Sequence, residues 1–340
     1  MIHIICNNVN SQHDGIGDYA YGLYLAFQIK SDEEIHLHST CSGLGGILDK
    51  LLSMKMSRVF DEVCKDIKPK DIVIVEYPFK ECNIAIIRHL KKLRDTITQR
   101  QGLLFLSLHE YERVNFLRKY IIRHFIAAAD TVLVTDNHTK GIVSNLSDKP
   151  VYLRSIPSNI YEIPIFDIDK DRRIYVYFGL ITKAKAIDNM LQAWTRFNVD
   201  NQYTLYFLTS SPFSNKYERY GVRYLDNLDK QGVAYYFSKA AFCILPIIPC
   251  VSAINATYKT ALFYDCVPIG HFDEEISERQ FFIDIDGNTV DQFYSGFCRS
   301  RDLSESEYKS KVTSIEGMPH PTFENTMKEY LEAIHQYMSK

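Results

Sequence analysis

Nowhere do the 340 residues run to eighteen uninterrupted apolar side chains, so no segment is expected to span a bilayer. None of the eight cysteines stands in a C-x-x-C pair. They are scattered through apolar stretches, which excludes a zinc ribbon or a disulfide framework and suggests reduced, mostly buried thiols. A dominant charge of one sign is missing too. Lys and Arg total 39 against 42 Asp and Glu, a formal net charge of −3, which argues against a general nucleic-acid binder. No basic leader with a cleavage site precedes the first strand-like run, so a cytoplasmic protein is expected. No internal repeat of fixed period is visible.

What is present is alternation. Strands are expected at 2–6, 35–39, 71–77, 103–108, 131–135 and 151–154, with amphipathic helices between them at about 18–30, 84–100 and 111–129. The segment 155–173, with two prolines and a charged run, reads as a linker. A second series of strands follows at 174–179, 203–208, 222–225, 242–246 and 267–272. The chain closes on an amphipathic helix with Met327, Tyr330, Leu331 and Ile334 on one side. The expected class is α/β: two doubly wound, Rossmann-like domains of 1–158 and 159–320, with 321–340 a C-terminal helix. Ligands of such sheets bind beyond the carboxyl ends of the strands, so the loops there carry the functional question.

The first of these loops reads "DGIGDYAYGL". Gly15 and Gly17 are expected to turn the chain sharply and let a ligand approach, with a helix from about Asp18 aiming its amides at an anion. An ordinary tight turn capped by Asp18 explains the same residues. "GIGDYA" approximates a dinucleotide fingerprint, but the second strand ends in "HLHST" without the acid that would hold a ribose. The fourth strand ends in "LSLHE", which sets His109 and Glu110 where a sugar hydroxyl or a proton can be handled; a plain helix cap is the competing reading. In the second half Lys183 and Lys185 stand before a helix, as would suit a diphosphate or simply solvated lysines. Ser252, Asn255, Thr257, Tyr258 and Lys259 cluster at another helix start. Capping chemistry accounts for Ser252, Asn255 or Thr257 singly, but not for Lys259 so near the positive end of the helix.

Taken in order, these segments resemble the GT-B glycosyltransferases, and most of all glycosyltransferase family 4. "DGIGDYAYGL" is similar to that family's "GGIGRYVYEL" turn, "DIVIVEYP" to its third-strand end, and "LSLHE" to its "TVHD". "AADTVLVTDNHTKGI" resembles "ADxVIxxS", and "GLITKAKAIDNMLQAW" resembles "GRLxxEKGxDxLLEAF", with Lys185 on the family lysine. "VRYLDNLDKQGVAYYFSKAAFCILP" is similar to the stretch that follows in the family. The resemblance covers most of the chain. It implies two domains facing a cleft, with the nucleotide-diphosphate sugar bound mainly by the second and the acceptor by the first. It also implies a terminal helix returning to the first domain, no metal, and no cofactor beyond a co-substrate expected to be a UDP-sugar. Two positions depart from the pattern. Leu180 replaces the family arginine, and the E-x7-E pair is absent, with Ala261 at its second position. "NATYKTALFYDCVPIG" instead resembles a variant among bacterial transferases of cell-surface sugars, whose asparagine and lysine meet the donor diphosphate.

The expected function is therefore transfer of a sugar from a nucleotide-diphosphate sugar to a hydroxyl of a glycan or lipid-linked acceptor. Gly15, Gly17, Lys183, Lys185, Ser252, Asn255, Thr257, Tyr258 and Lys259 would serve the donor, and His109 and Glu110 the chemistry. Retention is the expected stereochemistry, in polysaccharide or surface-glycan synthesis. The alternative is a nucleotide-binding or regulatory subunit that has lost catalysis; a sugar epimerase ranks below it. The "DID" triplets at 167–169 and 284–286 raise a metal-dependent reading only weakly. Residues 84–124 hold nine basic side chains (Arg88, Lys91, Lys92, Arg94, Arg100, Arg113, Arg118, Lys119, Arg123) against three acids, which suggests peripheral contact with an anionic membrane or merely solvated helix faces.

Overall fold

The computed structural model describes residues 1–9, 15–40, 54–79, 83–112, 114–158, 160, 163, 166–213, 215–274, 276 and 279–339. Asp14, at the head of the first glycine loop, and Arg113 of the basic stretch lie outside the described residues. The chain divides into two compact units, Met1–Ile156 with Pro321–Lys340, and Pro157–His320.

In the first unit the strands are β1 (Ile2–Cys6), β2 (Ile35–Ser39), β3 (Ile72–Tyr77), β4 (Leu103–Leu108), β5 (Thr131–Val134) and β6 (Val151–Leu153). They form one parallel sheet in the order β2-β1-β3-β4-β5-β6. Every residue of β1 and β5 is buried, as expected of strands covered on both faces. The helices are α1 (Gly15–Lys30), α2 (Met54–Asp66), α3 (Ile86–Gln99), α4 (Phe116–Ala128), α5 (Asn137–Leu146) and the terminal α11 (Phe323–Met338). In α3, Ile86, Leu90, Leu93 and Ile97 fall on one face and are buried, while its basic residues point outward. Helix α4 begins five residues later than its pattern suggests, because Asn115 caps it by accepting from the Arg118 amide.

Helix α1 also begins earlier than Asp18. Gly15 and Gly17 both lie in its first turn, so neither forms a separate phosphate-cradling loop. A Cβ on Gly17 would lie 2.5 Å from the Asn8 carbonyl oxygen, so this glycine lets the helix pack on the chain leaving β1 rather than on a ligand. Around Gly15 no described atom lies within 4 Å of where a Cβ would be. Gly17→Ala should therefore cost about 1–3 kcal/mol of stability, whereas Gly15→Ala should fall within about 0.5 kcal/mol of the parent. Urea denaturation of the two variants checks the contrast.

A buried histidine pair joins β1 to β2. His3 Nδ1 lies 2.9 Å from His38 Nε2, and His3 Nε2 lies 3.1 Å from Asp71 Oδ2. Burial pushes His38 down to about 4 and lowers His3 despite the Asp71 bond. The unfolded chain thus takes up protons that the folded one excludes, so stability is complete above the ordinary histidine value of about 6.5 and is lost as pH falls toward about 4. Thermal melts should fall between pH 7 and pH 5, and His38→Asn should roughly halve the slope.

The second unit holds β7 (Asp171–Phe178), β8 (Thr204–Leu208), β9 (Val222–Leu225), β10 (Ala240–Leu245), β11 (Val267–Gly270) and β12 (Ile283–Asp284), again parallel, in the order β12-β11-β10-β7-β8-β9. Strand β7 starts inside the charged run read as linker, because Asp171 already pairs with Ala240 of β10. The helices are α6 (Ile187–Phe197), α7 (Lys230–Lys239), α8 (Ala256–Phe263), α9 (Val290–Asp302) and α10 (Glu305–Glu316). The single tryptophan, Trp194 on α6, is fully buried against Tyr175 and Phe297 and donates its indole N–H to the Tyr220 carbonyl at 2.8 Å. Counting from β7, the strand order is the doubly wound pattern whose direction reverses between β7 and β10, and that reversal is where a ligand crevice opens.

Candidate functional site

In the second unit the loops leaving β7 and β10 are stitched together at the reversal. Lys185 and Ile247 form an isolated bridge, the Ala186 amide donates to the Pro246 carbonyl, and the Ile248 amide donates to the Ala184 carbonyl. Gly179 directly follows β7 with φ +124°, a conformation that other residues rarely adopt. A Cβ there would lie 2.7 Å from the Lys185 ammonium and 3.9 Å from the Thr257 hydroxyl, so both polar atoms flank the bare glycine backbone. Lys185 Nζ lies 3.1 Å from the Tyr177 hydroxyl and 5.1 Å from the centre of its ring. Burial pushes this ammonium down to about 8. Thr257 opens α8, and its hydroxyl donates weakly to the Phe178 carbonyl at 3.4 Å. Asn255 caps the same helix by accepting from the Tyr258 amide at 2.9 Å, and Ser252 belongs to the turn before it.

Two of the expected donor contacts take structural places instead. The ring of Tyr258 is 2% exposed and packs against Phe272, since the first inward position of α8 faces the core. The side-chain oxygen of Asn255 is engaged as a helix cap. Lys259 stands in the first turn of α8 with its ammonium 5.8 Å from the Tyr258 ring centre. Lys183 is exposed in the turn before α6. It lines, with Lys185 and Lys216, a groove of about 490 Å3 walled by Pro212, Phe213 and Tyr217. Lys216 escaped the sequence reading because nothing in its neighbourhood marks the short 3-10 turn that carries it. Phe213 stacks on Phe207 and on Tyr224, with centroids 4.5 Å and 5.2 Å apart, and Phe207 in turn stacks on Tyr177.

In the first unit, His109 follows β4 directly and Glu110 sits half-buried beside it. The carboxylate that holds His109 is not Glu110 but Glu76, next to the carboxyl end of β3. His109 Nε2 lies 2.7 Å from Glu76 Oε2, and the Glu76 side chain is wholly buried. Tyr330 of α11 donates its hydroxyl to Glu76 Oε1 at 2.8 Å and lies 2.6 Å from the Ser107 hydroxyl. Tyr19 of α1 meets the His109 ring edge-on at 4.7 Å and accepts a hydrogen bond from Arg154 Nη1 at 3.1 Å. Arg154, 2% exposed, lies over the Tyr19 ring at 4.7 Å. Burial pushes the Glu76 carboxyl upward, but its bond to His109 and the charges of His109 and Arg154 outweigh that and hold it below the usual carboxylate range. The sequence signal for this cluster was a charge inside an apolar strand, "IVIVEY", and an arginine closing "VYLR".

Among the described residues no group of three His, Cys, Asp or Glu side chains could hold a metal ion. In the second "DID" triplet the Asp284 carboxylate lies 2.7 Å from Arg279 Nη1. The basic stretch is less positive than its count suggests, since Arg94 is paired with Asp130 and Lys92 with Asp61.

No protein-family model and no curated protein matches the sequence. Solved structures do match the fold over the whole chain. Anabaena Alr3699/HepE in complex with UDP is 8% identical with a TM-score of 0.69, covering 99% of this chain and 100% of its own. The catalytic domain of starch synthase IV from Arabidopsis thaliana, bound to ADP and acarbose, is 12% identical with a TM-score of 0.66, covering 100% and 99%. WaaG, a glycosyltransferase involved in lipopolysaccharide biosynthesis, is 8% identical with a TM-score of 0.65, covering 98% and 99%. The chain has the GT-B fold, built from two Rossmann-like units with parallel six-stranded sheets.

Proposed function

We propose that the protein is a glycosyltransferase that moves a sugar from a nucleotide-diphosphate sugar to a hydroxyl group of a glycan or lipid-linked acceptor. The observation that carries this reading is the corner at the β7–β10 reversal, where Lys185, the Thr257 hydroxyl and the start of α8 surround the bare backbone of Gly179. Cleavage of the sugar–phosphate bond leaves negative charge on the diphosphate, and fixed donors aimed at that charge lower the barrier. Lys185, Lys183 and Lys259, with the positive end of α8, are the donors in this reading, and no metal is needed for the charge they neutralise. The UDP and ADP named with two structures of the same fold support a nucleoside diphosphate as the leaving group. His109 of the first unit, held by Glu76, is the candidate for the chemistry in this reading. If transfer retains configuration, a leaving phosphate oxygen takes the acceptor proton; if it inverts, His109 or Glu110 is the base.

Incubation with a panel of nucleotide-diphosphate sugars, followed by detection of released nucleoside diphosphate, tests the reading. Slow hydrolysis of one donor supports it. Tight UDP binding with no turnover of any donor, alone or with acceptors, would favour the regulatory alternative, which Leu180 in place of the family arginine also favours.

A peripheral membrane contact belongs to the same proposal. No described helix is long and apolar enough to cross a membrane. Yet the first turns of α4 expose Phe116 (85%), Leu117 (41%) and Tyr120 (47%) beside Arg118, Lys119 and Arg123. Apolar side chains next to cations suit the surface of an anionic bilayer. Flotation should recover the protein with vesicles containing phosphatidylserine and not with neutral ones, and Phe116→Glu should abolish recovery.

A further inference from the structure

We propose that Glu76 and Tyr330 are positioning residues that hold the His109 ring with a proton on Nε2; the functional part rests on the reading above, in which His109 serves the chemistry. The argument comes from the direction of the hydrogen bonds. A buried carboxylate is tolerated only where donors satisfy it, and Glu76 is wholly buried. Its Oε1 takes the Tyr330 hydroxyl proton at 2.8 Å. Having given its one proton to Glu76, Tyr330 can only accept from Ser107 at 2.6 Å and from Tyr19 at 3.4 Å. Tyr19 in turn accepts from Arg154 Nη1 at 3.1 Å. The chain Arg154–Tyr19–Tyr330–Glu76 therefore donates in one direction, from the arginine cation toward the carboxylate. The position 2.7 Å from Oε2 must also be filled by a donor, because an imidazole lone pair there would face carboxylate lone pairs. So Nε2 carries a proton.

The ring is held as well as protonated. Tyr19 packs against it in a T-shaped arrangement at an interplanar angle of 85°. Helix α11, which brings Tyr330, is fastened to the same region by Glu329, which accepts from the Ser155 amide at 2.6 Å and from its hydroxyl at 2.8 Å. Phe323 fills the space that Gly22 of α1 leaves open, where a Cβ would lie 2.5 Å from the ring. The last helix of the chain thus reaches a carboxylate on β3 and, through it, the histidine.

Nitrogen-15 correlation spectra of histidine-labelled full-length protein at pH 8 read the ring directly. The parent should carry a proton on Nε2; a proton on Nδ1 alone overturns the proposal before any variant is made. Glu76→Gln should admit the second tautomer, Tyr330→Phe should do so partly, and Glu76→Asp should restore the parent pattern at least in part. In transfer assays kcat should fall roughly 10- to 100-fold in Glu76→Gln and less in Tyr330→Phe, with the donor KM changed less than about threefold. Folded variants with the parent tautomer and the parent kcat would overturn the proposal. If the parent transfers no sugar, a tautomer that is fixed in it and released in Tyr330→Phe still upholds the positioning role, and only the glycosyltransferase reading falls.

Discussion

Replacing Lys185 with methionine should weaken UDP binding by about 10- to 100-fold at pH 7, the worth of one well-placed charged hydrogen bond of roughly 1.5–3 kcal/mol. The expected effect is this large because the ammonium is held against Tyr177 beside Gly179, with little rotamer freedom left to lose on binding. It also has a pH signature. With Lys185 pushed down to about 8 by burial, the unliganded protein is half deprotonated there near that pH. A diphosphate favours the cation, so binding at pH 8 or above should draw a proton from solution, and affinity should fall as pH rises through about 8 to 9. Titration calorimetry in two buffers of different ionisation enthalpy measures the uptake. Lys185→Met should show neither the uptake nor the fall. Affinity that is flat from pH 7 to pH 9 in the parent would remove Lys185 from the diphosphate.

Arg154→Met should be the most destabilising single change in the first unit, costing about 3–5 kcal/mol at neutral pH. The side chain is 2% exposed, and its removal withdraws a nearby cation from a carboxylate with no access to solvent. Because the variant can recover by protonating the Glu76–His109 pair, the loss should shrink as pH falls from 8 to 5. The double variant Glu76→Gln/Arg154→Met should regain much of the stability, since neither buried charge remains. Two probes separate the units. Trp194 is the only tryptophan and lies in the second unit. Its fluorescence transition should therefore stay in place while the far-ultraviolet circular dichroism gains an earlier step. A shift of less than about 1 kcal/mol in Arg154→Met would mean that the buried ion cluster is not what holds the first unit.

The fold was legible because its signal is repeated. Apolar runs such as "AAFCIL" belong to strands buried on both faces, and such strands alternate with helices whose apolar face has its own period, as in α3. Helix starts were less legible. α1 was placed late because glycine is read as a turn, yet a glycine with negative φ sits in a helix without strain when a neighbour's backbone lies where a Cβ would be, as Asn8 does for Gly17. The candidate sites split in the same way. Lys185 and Thr257 stand out in the sequence as polar residues in the segments that follow β7 and β10, whereas the use of Asn255 as a cap and of Tyr258 as core depends on which face of α8 turns inward. The partner of His109 was hidden for a different reason. Glu76, Arg154 and Tyr330 are far apart in sequence, and only packing brings a β3 carboxylate, an arginine after β6 and a tyrosine of the last helix to one point.

The most direct measurement is a crystal structure of the protein grown with UDP. The diphosphate should lie over Gly179 at the start of α8, with a phosphate oxygen about 3 Å from Lys185 Nζ and the ammonium drawn off the Tyr177 hydroxyl. A diphosphate bound elsewhere, or a Lys185 still resting on Tyr177 with no phosphate beside it, would contradict the account.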